Sequence, residues 1–593
     1  MALSDIVPRF SLQVFALLLV LQRAVCATIS HDFNITWVWA NPDGAFERAV
    51  IGINGHWPLP VVSATIGDTV IVNVHNSLGN QSTSLHFHGL FQNGTNHMDG
   101  VAQVTQCAIA PGSSYTYNFT VQQPGTYWYH SHQEAQYPDG LRGLFVVNDL
   151  EHPYRSQYDE ELALSVSDWY HKQTPDVLVG YGAMSDPSPD ASLINDTTNA
   201  EIKVIPGKTY LMRLVNVGAF IGQFFWIEDH TLTVVEVDGV YTETTDASML
   251  YIGPGQRYSF LVTIAVDQIE NIPLVTRMDE TSFSMHGGKP KDIFGRGWLT
   301  TGLSETMPAA KKPKKSHHLD DLTLTPLDKQ PLLGPVDRNI SLNIDMHSID
   351  GVSHWMFNDV NYEVPEMPSL FAALAAGENA TNPEAYTKHT HTYVLEKDEV
   401  VEVQMKNKHS RRHPVHLHGH NFQIIHRSGG ALNDTPLEKS PLRRDTVVVN
   451  SHGTLKFRFQ ASNPGVWIFH CHMEWHAQSG LMATFVEAPA DIQHDYAHVL
   501  AIPTSLNATE VCQVPGLADL DNPTSEDKQE DYVITHEMAF AGLGILAMIA
   551  AFVTAGHYAW RKWRTPAEKD HSYTLIPVID QDGSEQDREE PAR

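Results

Sequence analysis

The sequence predicts an all-β protein of three consecutive β-sandwich domains followed by one C-terminal transmembrane helix. Three observations predict it. Apolar and polar residues alternate over short runs between Pro/Gly turns. Two distant parts of the chain repeat one another, and a third has related text. A charge-free apolar stretch lies near the C-terminus.

Tyr115, Tyr117, Phe119 and Val121 alternate with Thr116, Asn118 and Thr120. Leu455, Phe457 and Phe459, and Val401, Val403 and Met405, follow the same rule. A strand turns successive side chains to opposite faces, so each run offers one face to a core and one to water. No long helical stripe appears before the membrane span. In the repeat, QQPGTYWYHSH (122–132) matches ASNPGVWIFHCH (461–472), and LHFHG (85–89) matches HLHG (416–419) at nearly the same distance upstream. A middle unit, GKTYLMRLVNVG (207–218) and IGPGQRYSFLVT (252–263), has related strand text but no HxH. A chain of 593 residues is too long for one core. The repeat sets domains at residues 28–150, 151–308 and 335–490. AAKKPKKSHHLDD opens a linker at 309–334, and its lysine run reads as solvated.

FSLQVFALLLVLQRAV (10–25) follows Arg9 and ends in Val25-Cys26-Ala27, which reads as a signal peptide, residues 1–27. MAFAGLGILAMIAAFVTAG (538–556) is long enough to cross a bilayer. Arg561, Lys562 and Arg564 follow, so a helix at 538–560 puts an acidic tail, 561–593, on the cytoplasmic side. Residues 491–537 form a stalk. The expectation is a single-pass type I protein with its large part outside or in a lumen; cell surface, vesicle and vacuole fit equally. Nine N-x-S/T sequons, none in the tail, agree with secretion. With Cys26 lost in the signal peptide, Cys107 and Cys512 can pair in an oxidising compartment, leaving Cys471 as an odd thiol. The net charge of −30 argues against nucleic acid as a partner. It suits cationic ligands and equally an ordinary secreted protein.

The chemistry lies in HCHMEWH (470–476). Residues i and i+2 of a strand share a face, and i+1 takes the other. His470 and His472 therefore point one way and Cys471 the opposite way, so one strand can serve two metal centres joined by a peptide bridge. His86 and His88, His130 and His132, and His416 and His418 are likewise paired. His413 lies three residues before His416 and should face the cysteine's side. His476, beyond the strand end, can turn back to it. That gives eight histidines on one side and His₂Cys on the other. His₂Cys is the ligand set of a blue-copper electron-transfer site. Eight imidazoles are too many for one ion and suffice for three. Imidazole suits copper or zinc, and zinc has no redox chemistry to use the thiol. A lone HxH is readily an incidental polar pair, but four in register with a cysteine are not. A copper-storing surface protein would not need the wired thiol.

LHFHG, YWYHSH, HPVHLHGH and HCHMEWH together resemble the four copper signatures of the multicopper oxidases, and DGVAQVTQC (99–107) resembles the stretch after the first signature in laccase-like members. The resemblance spans residues from about 30 to 490. The anchor and tail further resemble fungal cell-surface iron oxidases that work with an iron permease. The resemblance implies three cupredoxin-like Greek-key domains, the middle one without copper, and four copper ions. It implies type 1 copper on His413, Cys471 and His476, and type 2 copper on His86 and His416. The type 3 pair falls to His88, His130 and His472 on one ion and His132, His418 and His470 on the other. Leu481 takes the axial position, where a hydrocarbon cannot ligate and the potential tends to rise. Asp99 and Glu474 match acids the family uses to supply protons for reducing dioxygen to water.

Two reductants fit this chemistry. The iron-oxidising relatives carry an aspartate four residues before the first type 1 histidine. Here that position is His409, in KNKHSRRHP, beside Arg411 and Arg412. Rough matching keeps a second iron-site acid as Asp186 and replaces a third by Ser284. A hard ferrous ion favours carboxylate oxygen and is repelled by nearby cations. The sequence alone therefore favours a small organic reductant, such as a phenol or naphthol, with radical coupling in pigment or secondary-metabolite assembly as a family-level expectation. Ferrous oxidation for iron uptake is the alternative.

Overall fold

The computed structural model describes residues 26–181, 186–283, 290, 292–311, 318–349, 352–428, 440–496 and 512. Residues 1–25 and the expected span at 538–556 lie outside the described residues. Among the described residues no helix is long and apolar enough to cross a membrane.

Three sandwiches follow one another. The first pairs a sheet ordered Arg48–Ile53, Thr28–Ala40, Thr69–Asn76, Ser114–Thr120 with one ordered Val62–Thr65, Arg142–Asn148, Gly125–His130, His86–His88. The second and third each pair a six-stranded with a five-stranded sheet. The internal repeat is visible in strand pairing. In each sandwich an early strand runs parallel to a later one: Thr28–Ala40 with Thr69–Asn76, Glu160–Trp169 with Thr209–Asn216, and Arg338–Ile349 with Val400–Asn407. The later strand then pairs antiparallel with Ser114–Thr120, Arg257–Thr263 or Thr454–Gln460.

The alternating runs form strands for the expected reason. Thr454–Gln460 buries Leu455, Phe457 and Phe459 and leaves the residues between them partly exposed. Ser114–Thr120 buries Tyr117 and Phe119. Phe87, between two histidines, packs into the first core against Phe119, Phe145 and Tyr117. Burying such a side chain stabilises the fold by about 1.5–3 kcal/mol, so the apolar residue fixes which way its histidine neighbours face. Cys107 and Cys512 form the disulfide that the cysteine count allowed, across 405 residues.

Beyond its lysine run the linker is partly buried. Lys311 is exposed, but Asp321 and Leu324 are buried. Asp321 accepts from Arg444 Nη1 at 2.9 Å and pairs with Arg427. Burial opposes its charge, but these guanidiniums outweigh burial and hold the carboxyl down at about 2.

Candidate metal centre

Strand Gly465–Cys471 lies beside His413–Leu417, with Val415 opposite Cys471 and His416 opposite His470. Opposed residues in an antiparallel pair share a face. Cys471 therefore shares a face with Val415 and, two residues back, with His413; His470 shares the other with His416. His476 enters on a short helix, Glu474–Gln478.

On the cysteine's side, Sγ lies 3.6 Å from His413 Nδ1 and 3.8 Å from His476 Nδ1, and the two nitrogens are 3.2 Å apart. All three residues are fully buried. Burial pushes the Cys471 thiol up and both imidazoles well down. The imidazoles are thus neutral, as a metal ligand must be. Leu481 N–H donates to His476 O at 3.0 Å, and Cys471 N–H donates to Leu481 O at 3.1 Å. His470 pairs with Met482, so the next pair in register turns Leu481 toward the cysteine's side and Met482 away. Trp355 stacks on His476 at 3.9 Å between centroids.

On the other side, the eight histidines of the pairs His86/His88, His130/His132, His416/His418 and His470/His472 converge between the first and third sandwiches. His88 stacks on His416 at 3.8 Å and His86 on His418 at 4.0 Å. His88 Nδ1 and His472 Nε2 are 3.2 Å apart, as are His418 Nε2 and His470 Nε2. His132 lies 5.1 Å from His470 by ring centroid. Ligand atoms of His86, His416 and His418, of His86, His88 and His130, and of His132, His418 and His470 lie within 4.8 Å of one another.

The residues fit metal. His86, His130 and His416 each place Nδ1 against a backbone carbonyl, of Asp99 (2.7 Å), Ser131 (2.9 Å) and Asp445 (2.9 Å). A ring held that way carries its proton on Nδ1 and turns a lone pair on Nε2 into the cluster. Those three Nε2 atoms, and His132 Nε2, are buried without a hydrogen-bond partner among the described residues. Burial lowers the pKa of His88, His130, His132, His418 and His472 well below the usual range, and of His470 to about 3.

Asp99 sits at the cluster wall. His418 Nδ1 donates to its Oδ2 at 2.8 Å, and its Oδ1 is 3.2 Å from His86 Nδ1. Gly100 makes this approach possible: at φ +82 a Cβ there would lie 1.8 Å from Leu85 O. Glu474 is buried at the start of the short helix that follows strand Gly465–Cys471, with Gln478 Nε2 donating to Oε1 at 2.9 Å. Burial pushes its carboxyl up to about 8. No hydrogen bond joins it to a cluster histidine among the described residues. Asp445 was missed: its Oδ1 lies 3.4 Å from His88 Nε2 and 3.5 Å from His416 Nδ1. It stands in RRDTVVV (443–449), where nothing local marks an acid as facing metal.

At the rim of the thiol site, His409 lies edge-on to His413 at 5.5 Å and to Trp355 at 4.8 Å. Asp186 Oδ1 lies 3.3 Å from His476 Nε2, and Asp186 also pairs with Arg411. Arg412 Nη1 donates to Asp279 Oδ2 at 2.7 Å. Ser284 lies outside the described residues.

A buried His₂Cys site joined by one strand to a polyhistidine cluster, on tandem β-sandwiches, defines a copper-dependent oxidase. The chain belongs to the multicopper oxidase family: three multicopper oxidase profiles match residues 34–152, 160–288 and 362–491. It is 49% identical over 514 residues to the iron transport multicopper oxidase fetC of Epichloe festucae, covering 84% of this chain and 81% of that protein. It is 40% identical over 568 residues to the iron transport multicopper oxidase FET3 of Saccharomyces cerevisiae, covering 90% and 87%. The solved structure of Fet3p, a multicopper oxidase that functions in iron import, superposes with a TM-score of 0.77 at 40% identity, covering 82% of this chain and 94% of that one. A laccase from Botrytis aclada gives 0.72 at 27% identity, covering 86% and 95%. The fold is thus mostly β, in three cupredoxin-like domains.

Proposed function

We propose that this oxidase takes electrons one at a time from ferrous iron at the Cys471 centre and delivers them to dioxygen at the histidine cluster. The observation that carries the reading is the Asp186 carboxylate, 3.3 Å from the outer nitrogen of His476. It offers a hard oxygen ligand to a ferrous ion one hydrogen bond from the thiol site. Relatives at 40–49% identity are iron transport proteins, while the laccase likeness is at 27%. These relatives move the balance from the organic reductant favoured by His409 to the ferrous alternative, and nothing among them supports pigment coupling.

In this reading His413, Cys471 and His476 would hold one copper, with the hydrocarbon of Leu481 on the thiol's side of the strand. His86 and His416 would hold a second. His88, His130 and His472, and His132, His418 and His470, would hold a third and a fourth. Bound copper supplies the one-electron redox steps and the activation of dioxygen. The chain supplies the rest. The backbone on either side of Cys471, at the end of strand Gly465–Cys471, links the thiol directly to His470 and His472. Four electrons and four protons convert one dioxygen to two waters. Glu474, protonated near neutral pH, holds a proton close to the cluster; Asp99 orients His418 and His86. The span at 538–560 anchors the enzyme, with an iron permease as the partner this reading implies.

A second reading, oxidation of an organic reductant, is favoured by His409 and by the guanidiniums of Arg411 and Arg412, already paired with the acids of this rim. Side-by-side turnover of ferrous ion and a simple phenol by the copper-loaded protein separates the two. A large ferrous preference is expected; a phenol preference would establish the second reading instead.

A further inference from the structure

We infer that residues 252–257 of the middle domain, through Gly255, Gln256 and Arg257, position the cluster histidines His88, His416 and His472. This domain contributes no HxH pair, yet its loop lies against the cluster. Gly255 has φ +82, and a Cβ there would lie 2.7 Å from His472 Cδ2 and 3.0 Å from His88 Cε1. Gln256 Nε2 donates to Thr446 O at 3.0 Å. Thr446 Oγ1 in turn lies 3.2 Å from His88 Nε2 and 3.1 Å from His416 Nδ1.

Arg257 reaches all three sandwiches. Its Nε donates to Thr126 O of the first domain at 2.9 Å. Its two terminal nitrogens donate to Asp445 Oδ1 and Oδ2 of the third, at 2.7 and 2.6 Å. That fork fixes the plane of the carboxylate, and Asp445 is the acid beside His88 and His416. Asp238, also from the middle domain, accepts from the Arg257 backbone N–H at 2.7 Å and from Arg444 Nε at 2.8 Å. Arg257, Asp445, Asp238 and Arg444 are 0–1% exposed. Two walls of the cluster come from the histidine-bearing domains, and the copperless domain holds them in register.

The inference rests on the reading that the cluster binds copper, and the test keeps the two apart. Gly255→Ala pushes a methyl into the two rings, and Asp445→Asn keeps the shape while removing the charge that the arginine holds. Both are purified with copper as full-length protein and compared with the parent. The readouts are copper per chain, the blue absorption of the Cys471 site, the type 2 copper EPR spectrum, and the chelator concentration that strips the cluster. Such supporting contacts change metal affinity by about 10–100-fold, so both variants should lose cluster copper at about tenfold lower chelator. Their type 2 hyperfine splitting should shift while the blue absorption stays. Variants that fold, with parental copper content, EPR spectrum and chelator midpoint, would overturn the inference. If either variant does not fold, Gln256→Leu, which removes one hydrogen bond and no charge, decides by the same readouts. A parent protein with neither copper nor blue absorption would instead refute the copper reading.

Discussion

Replacing His409 with aspartate puts a carboxylate where this rim now has an imidazole, and its effect on ferrous oxidation can be estimated. His409 and His413 are 5.5 Å apart by ring centroid, so a ferrous ion docked at this edge sits at a comparable distance from the new charge. A dication and an anion about 5.5 Å apart in bulk-water dielectric attract by about 1.5 kcal/mol, or about tenfold in kcat/KM. Arg411 and Arg412 lie on the same edge and reduce that, so a rise of about three- to tenfold is expected. His409 packs on Trp355, so His409→Asn is the control for lost packing without charge. Initial rates from an oxygen electrode, with ferrous ion and with a phenol, provide the assay. The aspartate variant should raise ferrous kcat/KM, weaken that gain at high salt, and leave the phenol unchanged. An unchanged ferrous rate, or an equal rise for both substrates, would show that no ferrous ion docks beside His409.

Three further outcomes are expected. Cys471→Ser should bleach the blue absorption and abolish turnover while copper remains in the histidine cluster; turnover retained above a tenth of the parent refutes the strand as the electron path. Leu481→Met gives the thiol site an axial thioether, so its reduction potential should fall in a redox titration, and an unchanged potential would mean that residue 481 does not face the site. Asp321 is held at about 2 in the fold against an ordinary 3.8, with its carboxylate buried on Arg427 and Arg444. A lowered carboxyl pKa adds stability above the ordinary value that is lost as pH falls toward the folded one, here about 2 kcal/mol lost between about pH 4 and 2. Asp321→Asn should flatten that part of the acid unfolding curve, measured by circular dichroism; an unaltered curve contradicts the pairing.

The parts of this structure legible in the sequence are those governed by a period. Leu455, Phe457 and Phe459 alternate with polar residues because one face of their strand meets a core. The same two-residue rule separates Cys471 from His470 and His472. His476 follows because it completes a ligand set whose other members were already placed. What was not legible depends on contacts between distant segments. Asp445 and Arg257 are 188 residues apart, and neither stands in a pattern that marks it. Asp321, inside an apparently solvated linker, is buried by two arginines more than a hundred residues away. The rim of the thiol site is similar. The loss of an acid at His409 and the retention of one at Asp186 were readable, but the approach of Asp186 to His476 Nε2 and its pairing with Arg411 appear only when the middle and third domains meet.

The most direct measurement is an anomalous-difference map at the copper edge from crystals of the copper-loaded protein. One peak is expected between Cys471 Sγ and the Nδ1 atoms of His413 and His476, with separate peaks among the eight cluster imidazoles across the strand. A single ion held by Cys471 together with His470 or His472, or no copper peak at the thiol, would contradict the claim that one strand serves two centres.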